Sequence, residues 1–201
     1  VRLENRISAI LTAAGESARM GRPKPLLQWH GVPLVRYQID GLLRGDVREV
    51  IVVVGHEHEL VARQVSGDGV RSIINPNYKH GKTTSVLKGV FSADPDATDF
   101  LLLAVDQPRT PDIIEKVIES HVQNNALITS PRYRGRGGHP LMFSAILRGE
   151  LESITDEGRG VREVFDVHRG EVNEVVIDDP IVRLDLNTPE EYEAAKVKFG
   201  A

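Results

Sequence analysis

Three groups of residues offer chemistry in this sequence. The first is the run Ala14-Gly15-Glu16-Ser17-Ala18-Arg19-Met20-Gly21-Arg22-Pro23-Lys24, directly after the apolar segment 7–13. Its small residues let a backbone approach a phosphate closely, and Arg19, Arg22 and Lys24 add positive charge beside it. N–H groups and cations converging after a strand make an anion site; the competing reading is a solvated basic loop. The second group is Asp106, the first charge after the apolar run 100–105. A carboxylate there projects beyond the strand end. Mg²⁺ beside a polyphosphate needs only one or two carboxylates, because the ion keeps waters and takes phosphate oxygens. The competing reading is a turn or helix cap. The third group is Leu184-Asp185-Leu186-Asn187-Thr188-Pro189-Glu190-Glu191, where Asp185 or Asn187 supplies a second oxygen to the same ion. Asn187 or Thr188 ahead of a proline and two acids is equally an ordinary helix start.

Other patterns fail on spacing. Gly81-Lys82-Thr83 resembles the end of a Walker A loop, but Pro76 stands where its first glycine belongs. Gly15-Glu16-Ser17-Ala18-Arg19 lacks the final glycine of a nucleophile elbow. His56-Glu57-His58 lacks the i, i+4 spacing of a helical zinc pair. Gly135, Gly137 and Gly138 follow no strand-to-helix fingerprint.

These groups need a scaffold that brings strand ends together. Apolar segments of strand length fall at 7–13, 50–54, 70–74, 100–105, 126–129, 172–177 and 181–186, most of them continuous rather than alternating. Strands covered on both faces read that way. Between them lie helical stripes: Leu34, Ile39, Leu42 and Leu43; Leu60, Val61 and Val65; Val86, Leu87, Val90 and Phe91; Ile113, Ile114, Val117 and Ile118. Pro33, Pro111 and Pro189 sit where helices begin. Strand alternating with helix predicts an α/β fold: a single Rossmann-like domain over 1–201, with a mainly parallel sheet and helices on both faces. Ligands then bind beyond the carboxyl ends of the strands. The Gly- and charge-rich stretch 133–169 reads as an insertion covering one end of the sheet.

The 201 residues suit one such domain, and 40% hydrophobic content suffices for its core. A net charge of −4 argues against nucleic acid as the main partner. Cysteine is absent, which excludes a disulfide framework and a thiolate metal site and fits a cytoplasmic protein. No apolar run approaches the roughly 18 residues of a membrane span. Arg2, Glu4 and Arg6 are too charged for a signal segment.

The ordered set of motifs resembles the MobA-like NTP transferases, and most closely their molybdenum cofactor cytidylyltransferase branch. It comprises Leu11-Thr12-Ala13-Ala14-Gly15 through Ser17, Arg19-Met20-Gly21 and Pro23-Lys24, followed by Val52-Val53-Val54-Gly55. Asn75-Pro76 with Tyr78, Gly81 and Ser85 comes next, then Asp106-Gln107-Pro108, Arg136-Gly137-Gly138-His139-Pro140 and Asn187-Thr188-Pro189-Glu190. The resemblance implies that Ala13, Ala14, Gly15 and Gly81 hold the nucleotide, with Arg19 and Lys24 on its phosphates and Gly55 and Ser85 near the base. It implies Mg²⁺ on Asp106, with Asp185 or Asn187 as second ligand, and an acceptor near Gln107, Pro108 and His139. Lys24, Arg19 and Asp106 are then the catalytic residues.

The paired alanines Ala13 and Ala14 resemble the cytidylyl branch, since the guanylyl branch tends to carry glycines there. CTP is therefore the expected donor and a molybdopterin-type phosphate the expected acceptor, with a molybdoenzyme or its chaperone as a protein partner. Thr83-Thr84-Ser85 stands where relatives often have a serine pair, and Gly138-His139-Pro140 carries an additional glycine. The alternatives are transfer to another phosphorylated acceptor, such as a sugar phosphate or phospho-acid, and a carrier of the molybdenum cofactor without turnover.

Overall fold

The computed structural model describes residues 5–201; Arg2 and Glu4, which entered the reading against a signal segment, lie outside that range. The strands are β1 (Ile7–Ala13), β2 (Gln28–Trp29), β3 (Val32–Pro33), β4 (Glu49–Val54), β5 (Val70–Ile74), β6 (Asp99–Ala104), β7 (Ile128–Tyr133), β8 (Arg136–Gly137), β9 (Leu141–Ser144) and β10 (Val172–Val176). All but the β2–β3 hairpin form one sheet in the order β10-β7-β9-β6-β1-β4-β5, with β8 paired to β7. The central strands are parallel, as expected; β9 runs antiparallel to both its neighbours.

The helices are α1 (Leu34–Arg44), α2 (His58–Ala62), α3 (Lys82–Ser92), α4 (Pro111–Gln123), α5 (Arg148–Leu151), α6 (Val161–Val167) and α7 (Pro189–Phe199). Period-2 alternation along β1 divides the core between the two faces of the sheet. Ile7, Ala9, Leu11 and Ala13 pack with Leu34, Ile39 and Leu42 of α1, Ile114 and Val117 of α4 and Tyr192 of α7. Ile10 packs on the other face with Val90 of α3, Leu151 of α5 and Val164 of α6. Apolar residues on both faces explain why the central strands read as continuous runs. On α3, a Cβ at Gly89 would stand 2.3 Å from Ile10 Cγ2, so glycine there lets the helix lie close on the sheet. No helix among the described residues is long and apolar enough to cross a membrane.

Three expectations need correction. The stretch 133–169 is not an insertion over the end of the sheet, because it supplies β8 and β9. Met142, Phe143 and Ser144 of β9 are buried between β6 and β7. Four residues behind a Gly- and Arg-rich loop are too short a run to stand out as a strand. The stretch 181–186 is not a strand either. Asp179 accepts a hydrogen bond from the Ile181 amide and starts a 3₁₀ turn over Pro180–Arg183, after which the chain is irregular. Ile181, Val182 and Leu186 are apolar because this segment is buried in the core, not because it joins the sheet. The stripe on α3 is also narrower than expected: Val90 is buried, but Phe91 is 62% exposed, and Thr83, Ser85 and Gly89 occupy the inner face.

Candidate active site

Register fixes where the chemistry gathers. Ala13 lies opposite Val54 and Thr12 opposite Ala104, so β1, β4 and β6 end side by side. The residues that follow them, Ala14-Gly15, Gly55 and Asp106, therefore share one rim of the sheet. Cross-links between the exits hold that rim: the His56 amide donates to the Ala14 carbonyl (3.0 Å), and the Val105 amide to that of Thr12 (2.9 Å). Asp106 in turn is tied to the third chemical segment, since its carbonyl accepts from the Leu186 amide at 2.8 Å.

The loop after β1 folds back on Ser17, which adopts φ 55°. Its carbonyl accepts from the amides of Met20 (2.9 Å) and Gly21 (3.1 Å), and its hydroxyl accepts from the Lys24 amide at 3.0 Å. This turn delivers Lys24 over the end of β6. There its ammonium donates to Asp106 Oδ2 at 2.7 Å and to Asn187 Oδ1 at 3.2 Å, while Arg19 Nη2 reaches the same Asn187 oxygen at 3.4 Å. The Lys24 and Asp106 side chains are only 13% and 19% exposed, so bulk water screens the pair weakly.

A cavity of about 370 Å³ opens beside this pair, a size suited to a small-molecule site. Ala13, Ala14, Gly15, Arg19, Lys24, Gly81, Ser85, Asp106 and Asn187 all line it. Its cations are Arg19, Lys24, Lys79 and Lys82, against the acids Glu16 and Asp106. A locally cationic pocket thus exists on a chain of net charge −4. The opposite wall is positioned by Asn75, which is buried. Its amide donates to Ser85 Oγ (3.0 Å) and Thr84 Oγ1 (2.9 Å), and its oxygen accepts from the Asn77 amide (3.0 Å). Gly81, at φ 114°, turns the chain into α3.

Other predicted residues fall elsewhere. Gly55 lies behind the wall rather than in it: a Cβ there would stand 2.8 Å from both the Ala14 carbonyl oxygen and Tyr78 Cγ. Arg22 is not among the cavity's cations but stacks over the Tyr192 ring at 5.4 Å. Asp185 accepts from Gln107 Nε2 at 2.8 Å and borders a separate groove against α7 that Asn187 shares. Gln107, Pro108 and His139 do not line the cavity. Pro108 is buried, and Gln107 braces the rim by accepting from the Ala104 amide at 3.3 Å. Burial and the nearby Arg109 charge push the His139 imidazole down to about 4, so it is neutral at physiological pH. The expected helix start is present too: Thr188 and Glu191 form a reciprocal capping box on α7.

Sequence reasoning missed Tyr78, Lys79, Lys82 and Arg109. Lys82, the first residue of α3 after Gly81, carried a positional signal, as did Tyr78 within its motif. Arg109 carried none, because its burial depends on packing between distant segments. Among the described residues no cluster of three or more His, Cys, Asp or Glu side chains stands ready to hold a metal ion.

Comparison with known proteins adds four findings. Residues 9–172 match the model of the MobA-like NTP transferase domain. The chain is 28% identical over 200 residues to the molybdenum cofactor cytidylyltransferase of Escherichia coli (strain K12), spanning 96% of this chain and 97% of that protein. It is also 29% identical over 164 residues to the nicotine blue oxidoreductase of Paenarthrobacter nicotinovorans, spanning 78% and 79%. Among solved structures, a nucleotidyl transferase from Methanothermobacter thermautotroptrophicus superposes with a TM-score of 0.81 at 26% identity, covering 98% of each chain.

Proposed function

Since the chain belongs to the MobA-like NTP transferase family, we propose that this nucleotidyltransferase moves CMP from CTP to the phosphate of a molybdopterin-type acceptor and releases pyrophosphate. The observation that carries this reading is the seat of the Lys24 ammonium. It lies between Asp106 Oδ2 at 2.7 Å and Asn187 Oδ1 at 3.2 Å, at the mouth of a cationic loop. Two hard oxygens already converge there on a cation. One carboxylate, one amide oxygen and space for waters and phosphate oxygens fit Mg²⁺. Asp106 and Asn187 are the ligands we assign, with Asp185 held outside by Gln107. Mg²⁺ bound there would neutralise negative charge on the donor phosphates.

The chain's own residues perform the remaining work. Lys24 exchanges Asp106 for a donor phosphate, and Arg19 accompanies it from the same loop. Lys82 is the cation we assign to the acceptor phosphate. An acceptor phosphate oxygen is already anionic near neutral pH and needs no general base. That oxygen forms a bond to the α-phosphorus as the bond to the bridging oxygen breaks, and pyrophosphate leaves with the electron pair. Catalysis is positioning plus charge neutralisation. Support for CTP comes from Ala13 and Ala14, which line the cavity at the end of β1 where the guanylyl branch tends to carry glycines.

The test is an NTP panel assayed for pyrophosphate, with and without a molybdopterin acceptor. The expected result is metal-dependent release with CTP that requires the acceptor; release only with a sugar phosphate would move the acceptor assignment. Consumption of NAD(P)H without pyrophosphate would overturn nucleotidyl transfer in favour of the chemistry named for the Paenarthrobacter relative.

A further inference from the structure

Arg109 is the most unusual side chain near the site. It is fully buried, and its guanidinium is bound by backbone carbonyls rather than by carboxylates. Nη1 donates to the Pro108 and Leu184 carbonyls, both at 2.9 Å, and Nε donates to the His139 carbonyl at 2.9 Å. Nη2 is buried with no hydrogen-bond partner among the described residues. Burial draws the guanidinium down to about 10 against the opposing charges of Asp185, Asp106 and Asp179, so it stays protonated near neutral pH. A buried charge with an unpaired donor is weak support for stability, because desolvation offsets the attraction. Its effect lies in geometry.

The three carbonyls belong to three separate segments. Pro108 lies two residues after Asp106, Leu184 three residues before Asn187, and His139 in the loop leading to β9. Leu184 and Asn187 sit in irregular chain, where no sheet ladder fixes their distance from Asp106. Among the described residues, the direct backbone link between the two segments is the Leu186 amide on the Asp106 carbonyl. Beside that link and the exposed Gln107–Asp185 side-chain hydrogen bond, Arg109 adds a buried tie and anchors both segments to the loop before β9. Gln38 locks the arginine's own backbone: its Oε1 accepts from the Arg109 amide (3.3 Å), and its Nε2 donates to the Gln107 carbonyl (2.6 Å).

We propose that Arg109 is a positioning residue that sets the separation of Asp106 and Asn187, and so the metal affinity of the site, without touching substrate. The inference rests on the assignment of these two oxygens to the metal. It predicts a selective lesion, because the phosphate loop that carries Lys24 and Arg19 is held independently by Ser17.

The experiment compares Arg109→Met and Arg109→Lys with the unmodified full-length protein. Mn²⁺ affinity is measured directly by electron paramagnetic resonance, hydrogen exchange is followed in the metal-free state, and kcat and KM are measured separately. Arg109→Met should weaken Mn²⁺ about tenfold and lower kcat by a similar or larger factor, with KM for CTP within about threefold of the unmodified protein. Exchange should rise in 105–110 and 184–188 and stay unchanged in β1 and its loop. Arg109→Lys, able to reach fewer carbonyls, should fall between the two. Unchanged Mn²⁺ affinity in both variants would overturn the proposal, as would loss of stability with exchange rising throughout the sheet. Should Arg109→Met not fold, the same readouts on Arg109→Lys decide. If the unmodified protein binds Mn²⁺ but releases no pyrophosphate, the proposed reaction fails while the role of Arg109 is still decided by the affinity and exchange data.

Discussion

Replacing Lys24 by methionine keeps most of the alkyl chain and removes the ammonium that joins Asp106 to Asn187. Lys24 Nζ and Asp106 Oδ2 are 2.7 Å apart, with side chains 13% and 19% exposed. At an effective dielectric of about 20 the bare attraction is roughly 6 kcal/mol. Desolvation of the two ions offsets most of it, leaving a net contribution near that of a charged hydrogen bond, roughly 1.5–3 kcal/mol. A metal ion entering the nucleotide-free site must displace that ammonium. The variant should therefore bind Mn²⁺ more tightly than the unmodified protein in the absence of nucleotide, by about 10- to 100-fold at 1.4 kcal/mol per factor of ten. Turnover should move the opposite way. Lys24 would meet charge that builds on the phosphates in the transition state, so kcat should fall about 100-fold or more, with a smaller rise in KM for CTP. Calorimetric Mn²⁺ titration and steady-state pyrophosphate release measure the two effects on one preparation. Mn²⁺ affinity that is unchanged or weaker refutes the idea that Lys24 holds the metal seat. A change confined to KM reduces Lys24 to a binding residue.

Further outcomes follow from single positions. Asp106→Asn keeps a hydrogen-bond acceptor for Lys24 but removes the carboxylate at that seat; pyrophosphate release at saturating Mg²⁺ should drop by about 10²-fold or more, with the circular dichroism spectrum unchanged. The unmodified protein should prefer CTP over GTP by roughly 10–200-fold in kcat/KM, the discrimination one methyl or methylene gives. Ala14→Gly should shrink that preference more than Ala13→Gly, because the Ala13 methyl belongs to the core shared with α1 and α4; equal effects would break the steric argument. His139 sits at about 4 in the folded protein against an ordinary value of 6.5, so the unfolded chain binds the extra proton first as pH falls. Its contribution is present in full above about pH 6.5 and is lost progressively toward pH 4, roughly 3 kcal/mol in all. In urea titrations across that range, His139→Asn should show a flatter pH dependence than the unmodified protein.

Much of this molecule is written locally in its chain. Continuous apolar runs identified β1, β4 and β6 because both faces of those strands are covered, and the cationic loop after β1 and Asp106 just past β6 marked the candidate rim. Ala14, Gly15, Lys24 and Asp106 of the candidate site were legible for that reason, Asn187 from the polar residues of its own segment, and Pro111 and Pro189 marked the starts of α4 and α7. The order of the strands and the reversed direction of β9 were not legible, since β9 is a short strand whose four residues gain their meaning only from the gap between β6 and β7. Period alone misread 181–186, because a buried irregular segment needs the same apolar residues as a buried strand. The division between Asp185 and Asn187 was also beyond sequence. Both stand in one short segment, and only the turn of that segment aims Asn187 at Lys24 while Gln107 draws Asp185 aside. Arg109 is the extreme case: nothing near it in the chain sets it apart from a surface arginine, and its environment is made by carbonyls at 108, 139 and 184. Local pattern records which faces an element buries, whereas contacts between segments far apart in sequence exist only once the chain has closed.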